Sequence, residues 1–267
     1  MLPPFFTSLL ALLVSASPGF PQASQTDQIQ IAPPMRQMEA PPKDASADQL
    51  EKQGDLLRAE KGYLDAIDYY RAALAKDPQS AAVSNKLGIS ELMLERYKDA
   101  SKDFEQAIRK NRKFAEPYNN LGVVDYKRRK YSGAIKQYKK ALELESDSAA
   151  FYSNLGAAYF ARKDFERASQ AYAEAIHLDP EIFERTSHTG IAAQLISSED
   201  RAHYDYVLAK LYAKTGDTEH SLEFLRKAME EGYKGVKDVY TDPEFAELRK
   251  DVRFADLMKQ KPPAIPE

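Results

Sequence analysis

Small, apolar and aromatic positions recur along the middle of this chain at a fixed step of 34 residues. Gly54, Gly88, Gly122 and Gly156 keep that step, and so do Ala66, Ala100, Ala134 and Ala168. Tyr70, Phe104, Tyr138 and Tyr172 form a third column, and Ala73, Ala107, Ala141 and Ala175 a fourth. Proline is nearly absent from the same region: between Asp44 and Gln260 only Pro78, Pro117, Pro180 and Pro243 occur. Proline lacks a backbone N–H and clashes with the preceding turn, so a long stretch this free of it predicts helices joined by short turns. Pro78 and Pro180 stand at matching turns, where the middle units carry Arg112 and Ser146.

The pairs Leu87-Gly88, Leu121-Gly122 and Leu155-Gly156, each followed by Ala and then an aromatic, complete the pattern. A 34-residue period of this kind resembles the tetratricopeptide repeat (TPR) family over about half the chain. The resemblance implies an all-α fold: a right-handed α-solenoid of TPR helix pairs with a C-terminal helical cap. Four units are expected, at 47–80, 81–114, 115–148 and 149–182. Each would be two antiparallel helices crossing at the Gly and the first Ala, where a larger side chain would push them apart. The aromatic would fill the gap to the next unit. No unit buries its apolar face alone, so the units must stack.

After Pro180 the register breaks. An insertion at 183–201, containing Thr186, Ser187, Thr189 and Gly190, reads as a loop with at most a short helical turn. A divergent fifth unit at 202–235 follows, with Leu208, Ala209, Tyr212, Ser221, Leu225 and Ala228 in the expected places and Asp217 opening its second helix. Residues 236–260 predict two short capping helices, the first with Asp242 as N-cap and Pro243 after it, the second capped by Asp251. Such a tail resembles segments that close TPR arrays. Residues 261–267 are a tail.

Composition changes the picture chiefly at the N-terminus. Met1 to Thr26 carries no charged side chain, and Phe5 to Ala16 is an apolar run too short to span a bilayer. This predicts a signal peptide over 1–16, with 24 as the alternative end, although no Lys or Arg precedes the run. An uncleaved interfacial anchor is the other reading. A disordered Pro-rich linker is expected over 17–46. The protein is therefore expected to be exported, periplasmic or secreted, and in the envelope-associated case held by that N-terminus. The chain contains no cysteine, which excludes disulfides, thiolate metal sites and a Cys nucleophile.

No enzyme is legible. His177, His188, His203 and His220 include no i, i+4 pair, and there is no phosphate loop or nucleophile elbow. His188, within the loop Arg185 to Thr189, is the one constellation to follow. Neither a cofactor nor a metal is expected.

The resemblance also places a binding groove. Its inner-face positions fall on Glu51, Asp55, Asn85, Ile89, Asn119, Val123, Ser153 and Ala157, with Lys52, Lys86, Asn120 and Asn154 beside them. An Asn amide both donates and accepts, so Asn85, Asn119, Asn120 and Asn154 suit the backbone of an extended peptide; the alternative is that they bond to the neighbouring helix. Glu51 and Asp55 argue against a carboxylate clamp. Met93, Tyr126 and Phe160 are either apolar pockets or, for the two aromatics, core between units. Charge is uneven: residues 96–140 hold 14 basic and 5 acidic side chains. Lys127, Arg128, Arg129 and Lys130 lie in one turn, and Arg109, Lys110, Arg112 and Lys113 in the turn before it. They are solvated helix ends that complement the dipole, or contacts for an acidic partner or anionic membrane. Nucleic acid is not expected. The reading is a non-catalytic scaffold holding a protein or peptide partner in its groove. The alternatives are an envelope assembly component working through its convex face or cap, and an accessory subunit of a periplasmic enzyme.

Overall fold

The structure, a computed structural model, describes residues 40–186 and 198–260. They lie within a compact unit spanning Arg36–Glu267. The apolar run Phe5 to Ala16, most of the Pro-rich linker, His188 and the 261–267 tail lie outside the described residues.

Eight helices form four consecutive hairpins: α1 (Ala47–Ala59) with α2 (Tyr63–Lys76), α3 (Ala81–Met93) with α4 (Tyr97–Lys110), α5 (Ala115–Lys127) with α6 (Tyr131–Leu144), and α7 (Ala149–Ala161) with α8 (Phe165–Leu178). The starts are chemically set. Ser46 and Gln49 make a reciprocal capping box on α1, Ser80 accepts from the Val83 N–H on α3, and Asp164 accepts from the Arg167 N–H on α8. Each hairpin turn passes through one left-handed residue: Lys61, Glu95, Arg129 and Lys163, with φ between 57° and 64°.

Inside each hairpin the aromatic ring lies over the glycine of its own unit. A Cβ at Gly54 would stand 2.7 Å from Tyr70 Cε1, and one at Gly88 2.7 Å from Phe104 Cδ1; Tyr138 and Tyr172 sit closer still to Gly122 and Gly156. The ring therefore seals the crossing within a unit as well as facing the next, and Ala66, Ala100, Ala134 and Ala168 beside it are fully buried.

Successive hairpins stack as a solenoid, each second helix packing on the first helix of the next unit. The first helices also touch one another directly, α3 with α5 and α5 with α7, and no comparably close pairing joins α2, α4, α6 and α8. The array therefore curves toward the side of the first helices, which form its concave face.

The fifth pair departs from extrapolated register. A short helix, α9 (Ile182–Thr186), follows Pro180, and α10 (Ser198–Thr215) begins within the expected insertion and is longer than the other first helices. α10 pairs with α11 (Thr218–Glu230), capped by Asp217, and Ser221 Oγ donates to the Ala209 carbonyl at the crossing. Yet α10 runs parallel to α8. Phe165 meets His203 (centroids 4.4 Å apart), Tyr172 meets Tyr204 (5.5 Å), and the Tyr212 hydroxyl donates to the Pro180 carbonyl at 2.7 Å. In units 1–4 the corresponding helices are antiparallel, because a turn of a few residues can only reverse the chain. Here residues 187–197 can reach up to ~36 Å, more than the ~21 Å length of a 14-residue helix. The connection is long enough to return the chain to the other end of the pair.

The cap also differs in kind from the expected helix pair. Val236–Tyr240, Pro243–Phe245 and Leu248–Lys250 are three 3-10 turns, and only α12 (Val252–Gln260) is α-helical. Asp242 makes no cap bond; its carboxylate instead accepts from the Tyr206 hydroxyl (2.7 Å) and pairs with Lys210 (3.1 Å). Asp251 does serve α12, accepting from the Arg253 N–H at 2.8 Å. Val239, Phe245, Leu248, Phe254 and Leu257 seal the end of the core.

Candidate peptide-binding face

One position pair repeats along the concave face at a spacing of 35 residues. The Lys86 ammonium donates to Glu51 (2.7 Å) and to Asp55 (2.6 Å). One unit on, Asn120 Nδ2 donates to Asn85 Oδ1 at 2.9 Å, and one further, Asn154 Nδ2 donates to Asn119 Oδ1 at 2.9 Å. Asn119 Nδ2 closes the line by donating to Asn120 Oδ1 at 3.3 Å. The sixth residue of each unit thus reaches back to the fifth residue of the unit before it. The relay stops at Asn154, because Val207 on α10 is apolar and the fifth pair is inverted.

The four amides therefore bond to neighbouring helices first. Capacity remains: an Asn side chain has two N–H donors and an acceptor oxygen, and among the described residues Asn154 uses one N–H only. Asn119, Asn120 and Asn154 are half-buried and Asn85 is buried. Ile89 and Val123 are half-buried, packed at the edge of the cores beneath them. Ser153 is half-buried and Ala157 buried; Tyr126 and Phe160 are buried in the core, not open pockets.

At the first two units the face is ionic. Burial works against the charge on Lys86, but the hydrogen bonds and charges of Asp55 and Glu51 outweigh it and raise its pKa. Asp55 also accepts from the Tyr70 hydroxyl at 2.8 Å. Glu51, Asp55 and Lys86 are thus spent on one another, while Lys52 points away, beside Pro42, Ala45 and exposed Leu56 on the open side of α1. Met93 is 53% exposed.

The two basic stretches part company. Arg109 pairs with Glu105 at 3.7 Å, and Lys110 is held by Ser84 Oγ (2.7 Å) and the Ser80 carbonyl. Arg128, Arg129 and Lys130 are exposed and Lys127 half-buried, with no ion pair among the described residues. Sequence reading passed over Arg162 and Lys163, which stand 34 residues after Arg128 and Arg129 in the next hairpin turn. It also passed over Glu91, a fully buried carboxylate held by Arg71 (2.7 Å) and Arg96 (3.2 Å).

Models of the tetratricopeptide repeat match residues 51–116, 149–182 and 204–231, and a TPR repeat model matches 124–163. The chain belongs to the tetratricopeptide repeat family. Among solved structures, this TPR chain resembles MamA (41-end) from Desulfovibrio magneticus RS-1, at 18% identity and a TM-score of 0.50, covering 72% of this chain and 97% of that one. TTC0263, a thermophilic TPR protein from Thermus thermophilus, aligns at 18% identity and a TM-score of 0.49, covering 80% and 100%. YrrB, described as a TPR protein with an unusual peptide-binding site, aligns at 21% and 0.47, covering 77% and 92%. Likeness at this level speaks to fold alone. No curated protein matches the chain.

Proposed function

We propose that this TPR protein is a non-catalytic scaffold that holds a partner polypeptide along the concave face of α1, α3, α5 and α7, and that it works after export, in the periplasm or outside the cell. The observation that carries the reading is the line of half-buried amides ending at Asn154. Its Oδ1 and second N–H have no hydrogen-bond partner among the described residues, at the place where the repeat-to-repeat relay stops. An amide with one donor and one acceptor to spare pairs with the C=O and N–H of an extended backbone, a sequence-tolerant mode of recognition. Val123 and Ile89 add shallow apolar contact beside it. Export is supported by the uncharged start of the chain and its apolar run from Phe5 to Ala16.

The test is a photo-crosslinking residue placed at Val123, or at exposed Lys136 on α6 as control, in cells carrying the full chain. The reading expects an adduct at Val123 that Asn119→Ala/Asn154→Ala removes while helicity and melting stay unchanged. Adducts at Lys136 alone, or a Val123 adduct indifferent to the double substitution, would sink it. A second reading has one observation in its favour. Tyr240 (53% exposed) and Val252 (73%) leave apolar surface on the cap, where an assembly partner would dock. A crosslinker at Val252 separates the two.

A further inference from the structure

We propose that the edge of the array formed by the hairpin turns of units 3 and 4 is a docking ridge for an acidic polypeptide segment, separate from the groove. Lys127, Arg128, Arg129 and Lys130 occupy the first turn, and Arg162 and Lys163 the second. The two turns are neighbours because α5 and α7 run side by side in the same direction and touch. Five of the six cations are exposed, and none has an ion-pair partner among the described residues.

The carboxylates on these turns do not cancel the charge. Asp164 caps α8 and pairs with Arg167 at 3.2 Å. Asp125 lies half-buried behind the turn, its pKa raised by burial in spite of the Lys130 and Arg128 charges. Elsewhere the turns are balanced. The equivalent residues of unit 1 are Glu60 and Lys61, and those of unit 2 are Leu94 and Glu95, followed by Arg96, which is committed to Glu91. The basic stretch of 109–113 is partly consumed by Glu105, Ser80 and Ser84. Cations at helix C-termini complement the dipole, but one per end suffices for that, and here there are four and two.

The extent of the patch selects the partner. Two adjacent turns at the usual helix spacing of about 8–10 Å make a strip roughly three extended residues long per step. That matches a chain bearing carboxylates at short intervals. A membrane surface would engage the whole edge, and the charge does not continue onto units 1 and 2. Complementary charge of this kind governs encounter rate and register more than ultimate affinity, so binding should weaken steeply with salt.

The experiment titrates fluorescein-labelled poly-glutamate peptide into the full chain by fluorescence anisotropy, at low and at physiological ionic strength. In parallel the chain is sedimented with phosphatidylglycerol-containing and with purely zwitterionic vesicles. Arg128→Gln/Lys130→Gln/Arg162→Gln avoids the left-handed positions 129 and 163. It should weaken peptide binding by about tenfold or more and flatten its salt dependence. The control Lys98→Gln/Lys136→Gln/Lys237→Gln removes the same charge elsewhere and should change it little. Asn119→Ala/Asn154→Ala should leave it intact, so that failure of the ridge and failure of the groove are told apart. Equal loss in the ridge and control variants, or no peptide binding at all, overturns the proposal. Ridge-dependent binding to anionic vesicles without peptide binding overturns it in favour of a lipid surface.

Discussion

Units 1 and 2 and the region from unit 3 to the cap use the same helix hairpin and hold it together by different means. In the first region, ions bind unit to unit. Lys86 bridges to Glu51 and Asp55, and the fully buried Glu91 is clamped by Arg71 from the preceding unit and Arg96 from its own. In the second region the same stations are aromatic. Lys139, at the repeat position of Arg71, lies over the Tyr159 ring at 5.9 Å where Arg71 meets Glu91. From there Phe160, Phe165, His203, Tyr204, Tyr172 and Phe183 run in edge and tilted contacts through α7, α8, α9 and α10. Tyr206, Tyr233 and Phe245 carry the chain of rings on into the cap. Between the regions, at units 2 and 3, the station holds Glu105 and Asp125, two acids, and the local core is small: Ala100, Phe104 and Val124. In a repeat protein, stability is close to a sum of units and interfaces, so this junction is where the two regions should separate.

The largest effects test that division. Phe160→Ala removes a ring that is 2% exposed and touches three other rings, and should cost about 3–5 kcal/mol in the second region. Chemical denaturation followed by hydrogen exchange should show α7, α8, α10 and α11 opening early while α1–α4 keep their protection. Uniform loss across all units would mean that the array unfolds as one and the comparison is empty. The counterpart is Arg71→Ala/Arg96→Ala, which strands the Glu91 carboxylate in the core at about 3–5 kcal/mol. Adding Glu91→Gln should recover much of that loss, because the stranded charge, more than the missing pair, carries the penalty.

Much of this was legible before the structure, for a physical reason. Hairpin packing is local, and its constraints fall on fixed positions: glycine under a ring, alanine at the crossing, a polar cap at the start. The two halves of each unit could be placed to within a residue or two from Gly54, Ala66, Tyr70 and their repeats. The inversion of α10 was not legible, since the columns Ala209, Tyr212, Ser221 and Leu225 describe a hairpin and are silent on which way it is laid against α8. Nor was the fate of the four asparagines. A residue type fixes what an amide can bond, and only the 35-residue offset across the stacked helices shows that they bond to one another. The cap was expected as two helices because Asp-Pro is a good helix start, but Asp242 spends its carboxylate on Tyr206 and Lys210, and the chain turns tightly there instead.

A pH series sharpens the comparison within the second region. Burial pushes Asp205 up to about 7, with Glu231 and Glu223 adding to the rise against Lys227 and Arg201. A carboxyl raised above its unfolded value of 3.8 binds its proton more tightly when folded, so stability falls as pH rises from about 4 through 7. Asp205→Asn should therefore be nearly neutral at or below pH 4 and increasingly stabilising from there to pH 8, by ~1–3 kcal/mol. His220 works in the same direction by another route. Burial opposes its charge, but the hydrogen bonds and charges of Asp217 (2.6 Å) and Glu184 (2.7 Å) win and raise its pKa. Its contribution is fully present below the unfolded value of 6.5 and is lost as pH rises through the higher folded value. Because Glu184 belongs to α9, the loss should appear as lower hydrogen-exchange protection in 182–186 above neutrality, once the base-catalysed intrinsic rate is divided out, and His220→Gln should make that protection independent of pH in this range.

The smallest effect concerns a single hydroxyl in two copies of one position. Tyr70 and Tyr138 both lie over the glycine of their unit, and both are fully buried as side chains. Tyr70 finds Asp55, fifteen residues earlier, and also accepts from Arg58 Nε at 3.2 Å. At the station of Asp55, unit 3 carries Val123, and the Tyr138 hydroxyl has no hydrogen-bond partner among the described residues. A buried hydroxyl without a partner forfeits its bonds to water and gains nothing in return, at about 1–3 kcal/mol. Unit 2 avoids the problem, since Phe104 stands over Gly88 with Ile89 at the acceptor station. Tyr70→Phe should therefore destabilise the first region by ~1 kcal/mol, whereas Tyr138→Phe should leave the second region as stable or raise its denaturation midpoint. If both substitutions cost the same, Tyr138 has a partner in solution, and a water reaching the core beneath Val123 would make the groove floor wetter at unit 3 than its packing shows.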